Sequence, residues 1–282
     1  MLAAIPSPSD GVLHLGGLSL HVYGIVLALA VVVAIRVTMV RVERRGGPPG
    51  AVLDGAVAVV VCGVIGARLY HVVTDYQRFT HGRWLDAFAI WKGGLSIWGA
   101  VLGGAVGLVI ACRRRHASAL GVADCVAPGL FLAQAIGRWG NWFNQELFGR
   151  PTTLPWGLEI DPAHRPSGYA HVATFHPTFL YESLYCLLGA IVLIVLDARL
   201  RFRRGQVIAL YVVIYTFGRF FFENLRIDEA HRILGMRVNA WVSVLGFVGG
   251  LVWFVWLGRH GGDGRAPLLE EPESTIPADA VG

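Results

Sequence analysis

Seven stretches of this 282-residue chain are each long enough and apolar enough to cross a lipid bilayer, which removes most of the folds open to it. A helix needs about 20 mainly apolar residues to cross a hydrocarbon core about 30 Å thick. Windows of about 19 residues place such runs at 18–40, 52–72, 95–111, 120–136, 178–196, 207–222 and 238–257. No two-residue alternation competes with them, and lipid offers no partner to unpaired backbone, so each run is expected to be an α-helix. Hydrophobic residues make up 55 % of the chain, charged residues 15 %, and the mean hydropathy is +0.56. That balance is a membrane protein's, and no nucleic-acid partner is expected. The fold class is therefore all-α, a polytopic membrane protein. Residues 1–258 form one seven-helix transmembrane domain. Residues 259–282, rich in Gly, Pro and Glu without an apolar period, are expected to be a disordered cytoplasmic tail.

The connectors set the orientation. Arg41, Arg44 and Arg45, then Arg113–Arg115, then Arg199, Arg201, Arg203 and Arg204 fall in three short connectors on the side of the C-terminus. Clustered Arg and Lys mark the cytoplasmic side. The N-terminus and the intervals 74–94, 138–177 and 226–237 then lie outside, the longest of them between spans 4 and 5. Met1–Asp10 lacks the basic segment of a signal peptide, so the first span is expected to be retained. Trp84, Leu85, Phe88 and Trp91 share one helical face opposite Arg83 and Asp86, which predicts a short interfacial helix. Gly99, Gly103 and Gly107, four residues apart, predict close approach of another helix. Cys62, Cys112, Cys125 and Cys186 all lie within or at the ends of apolar runs, without metal-ligand spacing, and read as small core residues. Neither a metal nor another cofactor is called for.

Chemistry concentrates in two places. The run Gly137-Arg138-Trp139-Gly140-Asn141-Trp142-Phe143-Asn144-Gln145-Glu146, followed by Gly149-Arg150-Pro151, begins where span 4 ends and mixes fixed charge, amides and boundary aromatics. Tyr215, Arg219, Glu223 and Arg226 lie at i, i+4, i+8 and i+11, one stripe rising to the same outer boundary. Arg219 and Glu223 alone would fit an intramembrane ion pair, with Arg226 snorkelling. If the two segments meet, with Arg150, Asp228 and Glu229 expected farther out, Arg138, Arg219 and Arg226 face Glu146 and Glu223, leaving one net positive charge that a phosphodiester would neutralise. Arginine's planar fork suits such an anion. An anionic phospholipid headgroup is the expected ligand. Arg68 and His71 fit either this site or bundle packing. His176, before Pro177, fits either an ordinary helix start or a catalytic role, and Tyr23 either a boundary ring or a headgroup contact.

These motifs closely resemble the signature of the prolipoprotein diacylglyceryl transferases. Tyr23-Gly24, Gly93-Gly94-Leu95-Ser96, His176-Pro177-Thr178-Phe179-Leu180-Tyr181-Glu182 and Gly218-Arg219 through Glu223 to Arg226 extend the likeness from about His14 to Gly258. The resemblance implies an enzyme of the bacterial inner membrane that moves a diacylglyceryl group from phosphatidylglycerol to the lipobox cysteine of a preprolipoprotein signal peptide, releasing glycerol phosphate. By position, Arg138 and Arg219 are implied as essential phosphate binders. Asn141, Glu146, Glu223, Arg226 and Tyr23 are implied as headgroup residues, and Tyr215 as the tyrosine one turn before the key arginine. One departure stands out: where many members have a histidine after the Gly-Gly-x-Ser segment, this chain has Trp98, which cannot accept a proton. The runner-up is an anion or phospholipid transporter built on the same arginines. It requires access from both faces, whereas the charges here gather toward one.

Overall fold

The structure, a computed structural model, describes residues 4–8, 10–15, 18–47, 49–79, 84–89 and 93–269. Among these, seven helices are long and apolar enough to cross a membrane: α1 (Val22–Glu43), α2 (Pro49–Thr74), α3 (Ile97–Arg114), α4 (Ala119–Phe143), α5 (Thr178–Arg199), α6 (Gln206–Leu225) and α7 (Val238–His260). Three two-stranded antiparallel ladders accompany them: β1 (Val12–Leu15) with β2 (Leu18–His21), β3 (Leu158–Glu159) with β4 (Thr174–Phe175), and β5 (Arg232–Ile233) with β6 (Met236–Arg237).

The helices depart from the expected spans in informative places. The first starts at Val22 because the preceding four residues pair with β1, Val12 opposite His21 and Leu13 opposite Leu20. The fourth does not stop at residue 136. It runs on to Phe143, because the charge that ends a hydropathy window leaves the backbone hydrogen bonding intact. The expected interfacial helix is a 3-10 segment, Trp84–Phe88, and its Arg83 and Trp91 lie outside the described residues. The expected tail is ordered at its start: α7 reaches His260, Asp263 bridges to Arg203, and Leu268 is buried. Residues 270–282 lie outside the described set.

The chain forms two compact units, Met1–Thr38 with Asp124–Arg265, and Met39–Ala123 with Ala266–Gly282. In the second, α2 packs against α3 backbone to backbone. A Cβ on Gly103 would lie 2.1 Å from the Cys62 carbonyl oxygen, and one on Gly107 2.6 Å from that of Ala58. The glycine spacing thus serves close packing, as expected. Arg68, buried, spends its guanidinium on the carbonyls of Asp86, Ala87, Gly93 and Gly94, with the Phe79 ring 5.5 Å away. It is a clamp on the connector between α2 and α3.

The first unit holds the charged motifs. Its core joins Ala127, Phe131 and Ala135 of α4 to Cys186, Ala190 and Leu193 of α5 and Val207 of α6. Buried Asp124 accepts hydrogen bonds from the Gly205 and Ile208 amides, satisfying free donors at the start of α6. The interval between α4 and α5 is too short to hold a core of its own. It builds one jointly with the helix ends: Phe148, Leu158, Ile160 and Phe175 pack with Phe179 of α5, and Trp142 of α4 lies against them. Ile5 adds a parallel bridge to Leu158.

Candidate active site

Two neighbouring residue pairs fix the register of α4 against α5. The Trp139 indole N–H donates to the Ser183 hydroxyl at 3.2 Å, and that hydroxyl donates to the Ala135 carbonyl at 2.8 Å. The residues just before them, Arg138 and Glu182, are thereby brought together, with Arg138 Nη2 2.7 Å from Glu182 Oε2. One turn on, the Tyr185 hydroxyl donates to the Ile214 carbonyl at 2.6 Å, and its ring fills the space a Cβ on Gly218 would need. Only glycine permits this approach of α5 to α6. It sets Arg219 Nη1 3.6 Å from the same Glu182 Oε2.

From that junction two networks extend. Along α4, Arg138 Nη1 donates to Asn141 Oδ1 at 3.2 Å, and Asn141 Nδ2 donates to Glu146 Oε1 at 2.7 Å. The turn that folds Glu146 back uses left-handed backbone at Gln145 and Leu147 (φ 50° and 58°), sparsely populated for a branched residue such as leucine. Along α6, Arg219 Nη2 lies 2.6 Å from Glu223 Oε2, which Arg226 Nη1 approaches at 4.0 Å. Arg237 Nε approaches Glu223 Oε1 at 2.8 Å, close in distance but without hydrogen-bond alignment, and Asn239 Nδ2 donates to the same oxygen at 3.3 Å.

Asp228 ties the outer arginines together. It accepts from Arg226 Nε at 2.8 Å and Nη2 at 3.0 Å, and from Arg237 Nη2 at 2.8 Å. Burial alone would push its carboxyl up, but the hydrogen bonds and charges of Arg226 and Arg237 outweigh burial and hold it below the ordinary carboxylate range.

Exposure divides the arginines. The side chains of Arg226 and Arg237 are each 7 % exposed, whereas Arg138 and Arg219 keep 20 % and 18 %. The first two are committed to internal carboxylates, and the second two retain open surface. A small cavity at the junction is lined by Glu182, Tyr185, Cys186, Tyr215, Arg219 and Phe222.

Most residues singled out in the sequence therefore come together. Tyr215 lines the cavity and stacks on Tyr211, and the Tyr23 ring lies where a Cβ on Gly140 would sit. His176 is placed differently: its Nδ1 lies 3.2 Å from the Tyr181 hydroxyl, which accepts from the Trp156 indole at 2.9 Å. Among the described residues, no ion pair or hydrogen bond joins it to the arginine cluster. The expected net charge is also revised. Glu182, Asp228 and Arg237 join the set, so Arg138, Arg219, Arg226 and Arg237 face Glu146, Glu182, Glu223 and Asp228, and the site balances. Arg226 does not snorkel; it is buried among carboxylates.

A family profile described as prolipoprotein diacylglyceryl transferase matches residues 10–256. The chain belongs to that family. A Frankia alni phosphatidylglycerol–prolipoprotein diacylglyceryl transferase is 47 % identical, over all of this chain and 77 % of the relative. A Streptomyces coelicolor protein of the same description, numbered 2, is 52 % identical over 90 % of this chain and 81 % of its own. One from Bifidobacterium adolescentis is 42 % identical over 98 % and 85 %. These matches are to transferases and give the transporter reading no support. In this member of the diacylglyceryl transferase family, Glu182, Asp228 and Arg237 are the residues the sequence reading did not place in the site. A lone carboxylate within an apolar span is the signal for Glu182. Arg237, just before a span, looks from sequence like an ordinary snorkelling residue.

Proposed function

We propose that the protein transfers the diacylglyceryl group of phosphatidylglycerol to the lipobox cysteine thiol of preprolipoprotein signal peptides, forming a thioether and releasing glycerol phosphate. The observation that carries this reading is the convergence of two partly open guanidinia, Arg138 from α4 and Arg219 from α6, on a single oxygen position. Such a point suits one phosphate oxygen. In this reading Arg138 and Arg219 bind the phosphodiester and face the charge that grows on the leaving phosphate. Asn141 and Glu146 hold Arg138 in place and meet the headgroup, while Glu223 fixes Arg219 and Arg226 lies beside Glu223 at the headgroup end. Tyr215 flanks the phosphate, and Tyr23 orders the end of α4 against the lipid. His176 we assign to holding Tyr181 and the adjoining loop.

The three basic connectors support an inner-membrane orientation with the N-terminus and this site extracytoplasmic and the C-terminus cytoplasmic. The test is mass spectrometry of a lipobox peptide incubated with purified protein in phosphatidylglycerol micelles. A diacylglyceryl mass gain, absent when phosphatidylethanolamine replaces phosphatidylglycerol, is expected; no gain with phosphatidylglycerol overturns the reading.

A further inference from the structure

We propose that Glu182 is the proton acceptor of this reaction, occupying the anion seat between Arg138 and Arg219 until the lipid phosphodiester displaces it. The proposal rests on the transfer activity proposed above. It starts from the charge balance of the site: an entering anion meets no uncompensated arginine and must replace an internal carboxylate. Glu223 is fully buried and held by Arg219 at 2.6 Å and Arg237 at 2.8 Å, with Asn239 alongside. Glu182 has one close partner, Arg138 at 2.7 Å, and a loose one, Arg219 at 3.6 Å. Glu182 is therefore the replaceable anion, and its Oε2 stands where a phosphate oxygen would bridge the two arginines.

Displacement changes its chemistry. Once the phosphodiester takes its place on the two arginines, the carboxylate loses the partners that occupied its Oε2 and presents that oxygen as an open acceptor. The groups around it leave little competition. Arg138 faces it from α4, Arg219 and Tyr215 line the same cavity from α6, and Tyr185 and Cys186 follow it on α5. Arginine has no acceptor, and tyrosine and cysteine are ordinarily protonated at neutral pH. Glu182 is the one acceptor among them.

The step then balances. The peptide S–H proton passes to the Glu182 carboxylate, and the sulfur lone pair forms a C–S bond to the glyceryl carbon. The bond from that carbon to the phosphate oxygen breaks, its electron pair staying on the oxygen. The phosphate thereby gains a second negative charge in front of Arg138 and Arg219. Glu182 returns its proton to the phosphate monoester and regains the arginines as glycerol phosphate departs.

The test compares wild type with Glu182→Gln, using lipobox peptides bearing either a thiol or a selenol, in phosphatidylglycerol micelles across pH. Wild type inactive toward the thiol peptide sinks the transfer reading itself. With wild type active, Glu182→Gln is expected to lower kcat with the thiol peptide about 100-fold or more, the usual contribution of a positioned base. KM for phosphatidylglycerol should stay equal or fall. The deficit should shrink as pH rises toward the thiol pKa of about 8.5, and nearly vanish with the selenol, which is ionised at neutral pH. Wild-type turnover with the thiol, or a loss repaired by neither pH nor selenol, overturns the proposal. Should Glu182→Gln fail to insert, Glu182→Asp carries the same readout. Impaired thiol transfer with near-normal selenol transfer is expected, and equal loss for both peptides refutes it.

Discussion

A guanidinium differs from an ammonium in shape more than in charge, and Arg219 uses the shape. One terminal nitrogen lies on Glu223 and the other points to Glu182, so a single side chain links two carboxylates on two helices. Lysine at this position keeps the charge and reaches only one of them. Arg219→Lys is expected to lower kcat/KM about 10- to 100-fold, because one ammonium cannot hold Glu223 and also face the seat that Arg138 shares. The protein should still insert, because Glu223 keeps Arg237 and Arg226. Near-normal kcat/KM would reduce Arg219 to a generic counter-charge. Arg226→Lys should show the opposite balance: its fork grips Asp228 through Nε and Nη2, so thermal stability falls more than turnover. The sequence reading reached Arg138, Arg219, Glu223 and Arg226 because charge in an apolar setting is conspicuous. It paired Arg219 with Glu223, as the structure does, but missed Glu182, the carboxylate that Arg138 and Arg219 share. Which acid meets which arginine depends on helix register, here set by Trp139 on Ser183 and Tyr185 on Gly218, and register leaves no mark in composition or period.

At the scale of elements, the helices were legible wherever length and apolarity alone decide them. They were misplaced wherever a helix outlasts its apolar run, as α4 does through Arg138 to Phe143. The glycine row of α3 was legible for its own reason, since four-residue spacing has no simpler use than close packing. Neighbouring positions there make opposite predictions. A Cβ at Gly103 would meet Cys62 backbone at 2.1 Å and force α2 and α3 apart, whereas one at Gly104 meets the Val59 side chain at an ordinary 3.6 Å. Gly103→Ala is expected to cost about 1–3 kcal/mol, the range of overpacking. Gly104→Ala should be neutral or stabilising, because alanine is the better helix former by about 1 kcal/mol. Thermal midpoints of the two purified variants in detergent check this. Equal midpoints would mean that the helix pair yields freely at Gly103.

For the whole molecule, the proposed chemistry depends on which side of the membrane the arginine cluster faces. The N-terminal segment, the loop between α4 and α5, and the start of α7 all contribute to that end of the first unit: Ile5 pairs with Leu158, and Arg237 with Glu223. The opposite end holds the basic connector between α5 and α6, where Arg203 bridges to Asp263. Positive charge on a connector is retained on the cytoplasmic side, so the two ends should differ in access. Ser167, exposed in the loop between α4 and α5, and Arg201, exposed in the connector between α5 and α6, suit this test. Ser118 suits it less, since its hydroxyl accepts from the Gly121 amide at the start of α4. In intact cells, Ser167→Cys is expected to react with a membrane-impermeant thiol reagent, and Arg201→Cys only after the membrane is opened. Labelling of Arg201→Cys from outside, with Ser167→Cys protected, would place the arginine cluster in the cytoplasm. A thiol carried on an exported signal peptide would then have no route to Glu182, and the proposed substrate would have to be abandoned along with the orientation.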